Sequence, residues 1–189
     1  MILSNIPLSL WPFVGFIVSW IILAMVFKSK RTAERASVRQ NLPGRLLMLA
    51  SFIIIFFVAP LSPAGIIPQV QNLYIYAGFA IEAMGLAFMI WARIILGRNW
   101  SMDVVFKKNH QLIMAGPYRI VRHPIYTGVI ALFLGAAIYS GIWLSLAAPI
   151  LCFLGLLFKS RSEEELLSHH FKNYAQYRKK VKAIIPFVY

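Results

Sequence analysis

The chain has 189 residues, 60% of them hydrophobic, with a mean hydropathy of +0.72. A soluble domain of this length is closer to half apolar, so the composition excludes an ordinary soluble protein and points to an all-α integral membrane protein built as one compact unit. The formal net charge of +13 does not point to nucleic acid, because no soluble basic module accompanies it.

The layout of the charge is more telling than its total. Lys and Arg fall in three blocks, Lys28–Arg45 with six, Arg93–Arg122 with six and Lys159–Lys182 with seven, and the segments between them have none. Positive charge collects on the cytoplasmic side of membrane proteins, so the blocks are expected to share that side, beside anionic lipid.

A spanning helix takes roughly 20 apolar residues. Leu8–Phe27 supplies a first span, with neither the basic leader nor the cleavage site of a signal peptide. Leu46–Leu61 supplies a short second, ending at Pro60 and Pro63, and Leu73–Leu96 a third. Within the third, Glu82 is an intramembrane carboxyl, a functional candidate by position. Arg93, near its end, is expected to snorkel to the interface. Gly97–Arg122 is too polar to span and reads as a surface or re-entrant stretch. Pro124–Tyr139 and Ile142–Phe158 are a fourth and fifth span, joined by Ser140-Gly141 into a helical hairpin. Five spans place the N-terminus outside, with the basic loops and the C-terminus cytoplasmic. After them, Leu166, Leu167, Phe171, Tyr174, Tyr177 and Val181 recur at helical spacing, which predicts one amphipathic helix over Glu163–Val181, lying along the membrane. Cys152, the single cysteine, sits in an apolar run and forms no disulfide within the chain.

No Gly-x-Gly-x-x-Gly turn, P-loop or zinc-spaced His/Cys set is present, so no Rossmann nucleotide site and no metal site are expected. Two dense polar clusters remain, each pressed against an apolar run: Gly116-Pro-Tyr-Arg-Ile-Val-Arg-His-Pro-Ile-Tyr-Thr-Gly128 and Arg161-Ser-Glu-Glu-Glu-Leu-Leu167. Pro124 suits the first turn of a helix. His123 then falls at its cap, beside backbone N–H groups that favour an anion. The hairpin brings His123 and Glu163 to the same membrane face. Imidazole, tyrosines, carboxylates and free N–H groups together suit a zwitterionic cofactor carrying an adenosine. An interfacial belt of Tyr, His and Arg around a capped helix accounts for the same residues.

At these residues the chain resembles the isoprenylcysteine carboxyl methyltransferase family, within the wider group of small membrane methyltransferases that includes the phospholipid methyltransferases. The resemblance covers about the C-terminal half: Leu96-Gly-Arg-Asn-Trp-Ser101, then "HQLIMAGPYRIVRHPIYTG", then "EEELLSHHFKNYAQY". It implies a single methyltransferase domain over 1–189, with three spans in 1–96 and the cofactor-binding part in 97–189. The implied cofactor is S-adenosyl-L-methionine, held without a Rossmann fold. By motif position, His110, Gln111, Leu112, Ile113, Tyr118, His123, Pro124 and Tyr126 look like its contacts, and Glu163 or Glu164 like its carboxylate. Arg161 or Lys159 matches the Arg that orients the substrate; if Lys159 is the match, the bidentate fork is lost.

The resemblance further implies a lipophilic or lipidated acceptor, delivered from the bilayer among membrane lipids. A carboxylate acceptor is ionised at neutral pH and needs no general base, which suits a chain with only six Asp and Glu; an amine needs one. N-methylation of phosphatidylethanolamine or a related lipid amine is the first alternative. An NADPH-dependent sterol or isoprenoid reductase, whose C-terminal end is similar to "YRKKVKAIIPFVY", is an alternative of another class, and a non-enzymatic assembly factor a further one.

Overall fold

The structure, a computed structural model, describes residues 11–26, 33–35, 42–58, 68–99, 105–107, 111–186 and 188. Its frame is five helices, α1 (Trp11–Val26), α2 (Leu42–Ile53), α3 (Pro68–Leu96), α4 (Pro124–Ser140) and α5 (Ala147–His170), followed by a short α6 (Tyr174–Lys180). Each of the five carries a proline within its first three positions: Pro12, Pro43, Pro68, Pro124 and Pro149. The first turn has no intrahelical acceptor for its N–H groups, so proline starts a helix there at no loss. These prolines explain why α2 and α3 begin at Leu42 and Pro68, ahead of the apolar runs at Leu46 and Leu73. α2 continues through a π-helical turn, Ile54–Val58.

Packing follows small residues, as expected where lipid supplies no hydrophobic drive between helices. Gly78 and Gly85 on α3 face Gly135 and Gly128 on α4, and a Cβ on Gly78 or Gly85 would run into the opposing carbonyl oxygen. Residues seven apart share a helix face, so the two antiparallel backbones meet along one glycine seam. A second pairing joins α2 to α5, where Gly155 lies against the Gly44 carbonyl and Met48. Phe13, Phe52 and Phe133 tie α1, α2 and α4 together edge-to-face, with ring centroids 5.4 and 4.9 Å from Phe133. The α4–α5 turn is closed by Gly141 in the left-handed conformation, φ 65°. There Ser145 Oγ lies 2.7 Å from Ser140 Oγ, and both hydroxyls donate to the Ala137 carbonyl.

Large apolar side chains such as Ile22, Leu46, Phe57, Met84 and Ile150 remain exposed, and Leu73–Leu96 and Trp143–His170 are long and apolar enough to cross a membrane. The molecule is an all-helical integral membrane protein, apart from one antiparallel pair of three-residue strands that hydropathy does not announce. These strands, β1 (Ala33–Arg35) and β2 (Val105–Lys107), pair Ala33 with Lys107 and Arg35 with Val105. They join the first basic block to the second, and a backbone bond from Arg122 N–H to the Lys182 carbonyl, 2.8 Å, joins the second to the third.

Two expectations are corrected. Arg93 does not snorkel: it is among the most buried side chains and donates to the Gly97 carbonyl at 2.9 Å. A 3-10 turn, Gly97–Asn99, curls back over the end of α3 and supplies that acceptor inside the protein. Nor is Glu163–Val181 one helix. α5 runs unbroken from the apolar span to His170, the chain turns extended at Phe171 (φ −111°, ψ 113°), and α6 starts at Tyr174. A continuous helix would carry Tyr174 and Tyr177 off along the α5 axis; the break folds both into the protein, where they are buried.

Candidate active site

Three pieces of chain meet where α4 begins. The first is a 3-10 turn, Gly116–Arg119, that buries Pro117 and Tyr118. The second is the start of α4, with His123 at the cap position and Pro124 as its first residue. The third is the part of α5 beyond Phe158, where the apolar span ends and the acidic triplet projects. A fourth piece straps them together. Val121 and Lys182 form a parallel bridge, His123 N–H donates to the Ala183 carbonyl at 2.9 Å, and Thr127 Oγ1 donates to the Ile184 carbonyl at 2.5 Å. Tyr177 Oη donates to the Tyr118 carbonyl at 2.6 Å.

The His123 ring lies between two carboxylates. Nε2 is 3.1 Å from Glu164 Oε1, and Nδ1 is 3.6 Å from Glu163 Oε2. Glu163 also accepts from Tyr126 Oη at 2.5 Å, and the Tyr126 ring stacks on His123, 5.3 Å between centroids and 5° from parallel. Glu164 is gripped harder. Arg122 reaches its Oε1 from Nε at 2.8 Å and from Nη2 at 2.6 Å, and Arg178 Nε lies 3.3 Å from its Oε2. Arg122 also donates to the carbonyls of Arg178 and Val181. Burial alone would raise the Glu164 carboxyl; the bonds and charges of His123 and Arg122 outweigh it and hold the group below its ordinary value. Burial pushes the Tyr118, Tyr174 and Tyr177 hydroxyls up.

His123 is therefore in contact with Tyr126, Glu163 and Glu164, and Tyr126 with Glu163, at the end of the α4–α5 hairpin. Gln111, Leu112, Ile113 and Tyr118 line an adjoining cavity that Arg122 shares. His110 lies outside the described residues. Lys159 and Arg161 sit on different sides of α5. The Lys159 ammonium lies 5.5 Å from the Tyr126 ring centre. Arg161 is exposed and lines an open pocket of about 550 Å³ with Glu164, Glu165, Ser168, Arg178 and Lys182. Arg122 belongs to the polar cluster that the sequence singles out but has no role assigned there, and Arg178 is not singled out at all. A usable signal existed: acidic side chains buried in a chain of net charge +13 need cationic partners, and Arg122 adjoins His123. The docking of residues 181–184 had no such signal.

A family model described as phospholipid methyltransferase matches residues 73–174, more than half of the chain. The chain belongs to the phospholipid methyltransferase family. Its relatives there agree with the resemblance carried by the motifs. A probable protein-S-isoprenylcysteine O-methyltransferase of Oryza sativa subsp. indica is 24% identical over 173 residues, 88% of either chain. The protein-S-isoprenylcysteine O-methyltransferase of Schizosaccharomyces pombe is 30% identical over 134 residues, 67% of this chain and 55% of that one. Among solved structures, the eukaryotic intramembrane Ras methyltransferase, an isoprenylcysteine carboxyl methyltransferase, has the same fold, with a TM-score of 0.58 at 22% identity over 97% of this chain and 69% of that one. This phospholipid methyltransferase family member is a membrane enzyme that transfers methyl groups.

Proposed function

We propose that the protein is an S-adenosylmethionine-dependent carboxyl methyltransferase acting on a lipophilic acid, of the kind presented by an isoprenylated cysteine. The observation that carries this reading is the closure of Glu163 and Glu164 on His123 and Tyr126, at 2.5 to 3.6 Å. The donor set fits the cofactor's chemistry: two carboxylates and two stacked aromatic rings suit an amino acid joined to a sulfonium, and the neighbouring cavity suits an adenosine. When bound, such a cofactor supplies an electrophilic methyl group. The chain's task is to hold donor and acceptor in line and keep water out, a contribution of roughly 7–11 kcal/mol for well-aligned reactants. In this reading Gln111, Leu112, Ile113, Tyr118, His123, Tyr126 and Glu163 or Glu164 hold the cofactor, with His110 beside them and Pro124 fixing the helix start. Arg161, or Lys159, holds the acceptor's carboxylate.

The family model's description favours a second reading, N-methylation of a lipid amine. It requires a base to take the ammonium proton. Glu163 and Glu164, held by Tyr126, His123, Arg122 and Arg178, are assigned here to the cofactor, so neither is left to serve as that base. An ionised carboxylate acceptor asks for no such group. The NADPH-dependent reductase reading draws no support from the relatives described above.

Five spans with the basic loops and the C-terminus cytoplasmic complete the proposal. The convergence of the three basic blocks on one end of the bundle supports it. The N-terminus, expected outside, lies beyond the described residues. The cofactor then enters from the cytoplasm and the acceptor from the bilayer.

The test is to incubate the purified protein with methyl-labelled S-adenosylmethionine and a lipid extract, then treat the product with base. Label released by base marks an ester and supports the carboxylate reading; label that survives marks a methylated amine and replaces it. Arg161→Ala is expected to raise the acceptor KM more than tenfold. Unchanged turnover there, with loss in Lys159→Ala, transfers the role to Lys159.

A further inference from the structure

Beyond Phe158, one side of α5 leaves the apolar span and becomes a wall of the open pocket of about 550 Å³. That side can be followed along the helix. At 3.6 residues per turn, Ile150, Leu154, Arg161, Glu165 and Ser168 fall within about 60° of one another. Ile150 is 60% exposed and Leu154 38%, so the apolar part of this face is turned to lipid, away from the buried Cys152 and Leu156. The pocket therefore lies where a lipid resting on Ile150 and Leu154 would place its headgroup.

The pocket carries an excess of positive charge. Arg122, Arg161, Arg178 and Lys182 line it, against Glu164 and Glu165. Arg122 and Glu164 neutralise one another at 2.6 Å. Arg178 meets Glu164 through Nε at 3.3 Å, but its side chain is 62% exposed, which leaves its Nη donors to the pocket. Among the described residues neither Arg161 nor Lys182 forms an ion pair. The Lys182 backbone is fixed by its bond from Arg122 N–H and its bridge to Val121, so an ordered tail presents the ammonium. Cations from α5, α6 and the docked tail thus converge on one space, with Glu165 as the remaining carboxylate. Gathered like charges repel unless an anion joins them, and Arg and Lys donors suit a phosphate.

We propose that this pocket seats the phosphate of an anionic phospholipid between Lys182, Arg178 and Arg161, with the acyl chains along Ile150 and Leu154. Its place at the end of a lipid-facing stripe favours a lipid over a soluble phosphate. The excess of cations favours an anionic headgroup over a zwitterionic one. Arg161 is also a candidate for the acceptor's carboxylate, so the test leaves it in place.

The experiment is native mass spectrometry of the full-length protein in detergent, titrated separately with dioleoyl phosphatidylglycerol, dioleoyl phosphatidylcholine and glycerol 3-phosphate. Phosphatidylglycerol has neither a carboxylate nor an amine to methylate, so its binding and the proposed function can fail independently. It is expected to bind about fivefold tighter than phosphatidylcholine, or more. Lys182→Gln should weaken it about fivefold, the worth of one cation beside an anionic lipid, and leave phosphatidylcholine unchanged. Lys179→Gln removes the same charge from an exposed position of α6 outside the pocket, and should change the affinity by less than about twofold. Equal affinity for the two lipids overturns the proposal. So does an equal loss in both variants, which would reduce the effect to net charge, or no loss in Lys182→Gln. Glycerol 3-phosphate binding as tightly as phosphatidylglycerol overturns the lipid and puts a soluble phosphate in its place.

Discussion

Two buried glutamates sit at opposite extremes of this molecule. Glu164, beyond the apolar part of α5, is 6% exposed and meets four donor nitrogens, from Arg122, His123 and Arg178. Glu82, midway along α3, is wholly buried, and neither of its oxygens has a hydrogen-bond partner among the described residues. Glu82 lies against the glycine seam with Tyr139 nearby, and its Cγ packs where a side chain on Gly135 would stand. The same side chain is thus the hub of a polar network in one region and a space-filling element of a helix contact in the other. Burial alone does not mark a functional carboxylate; the donors gathered around it do.

The largest expected effect follows from removing the hub. Glu164→Ala leaves Arg122, His123 and Arg178 without their shared anion, and breaking such a buried set typically costs about 3–5 kcal/mol. Thermal melts in detergent should fall steeply, and methyl transfer should drop at least a hundredfold. The pH dependence gives a second reading of the same group. Because the folded protein holds the Glu164 carboxyl below its ordinary value, its contribution is fully present above about pH 4.3, the unfolded value, and is lost as pH falls through the lower folded value. Glu164→Ala should flatten that acid limb. Activity and acid stability that survive the substitution would erase the contrast between the two glutamates.

How far this contrast can be read from the chain differs between its halves. The helices are legible because each apolar run is long and each start is marked by proline. The meeting of His123 with Glu163 is legible because a two-residue turn fixes the register of a hairpin. The rest of the grip on Glu164 is not: Arg178 lies beyond α5, and Arg122 reaches its carbonyl across 56 positions. Those contacts exist only once the chain breaks at Phe171 and the tail docks beside Val121. The burial of Arg93 is hidden for a related reason, since its acceptor is a carbonyl four residues on, in a turn that hydropathy cannot place. The glycine seam is visible as a seven-residue repeat on both α3 and α4, but only in hindsight, because spacing on one helix does not name its partner.

An intermediate effect tests whether the seam, and not Glu82, holds the α3–α4 crossing. Gly135→Leu places a side chain against the Gly78 carbonyl and the Glu82 stem. Both are backbone or tightly packed atoms, so the helices must separate, and overpacking of this kind costs about 1–3 kcal/mol. The melting temperature should fall by less than in Glu164→Ala, with activity reduced in proportion to the folded fraction. A variant that melts like the wild type would mean that the helices tolerate separation and that the seam contributes little.

The smallest effect is expected at Glu82 itself, and it decides what that residue is for. Glu82→Met keeps the length and much of the volume of the side chain while removing both oxygens. Replacing an unpartnered buried polar group with an apolar one of similar shape is neutral or stabilising. The melt should therefore stay within about 1 kcal/mol of the wild type or improve, and methyl transfer should be unchanged. Stability is the weaker half of this test, because a packing residue and a chemical one can both give a small shift. Turnover is the stronger half. A Glu82→Met protein that melts normally but no longer transfers methyl groups would show that the carboxyl meets a partner during the reaction cycle, from acceptor or lipid, and would move Glu82 from the packing side of the comparison to the chemical one.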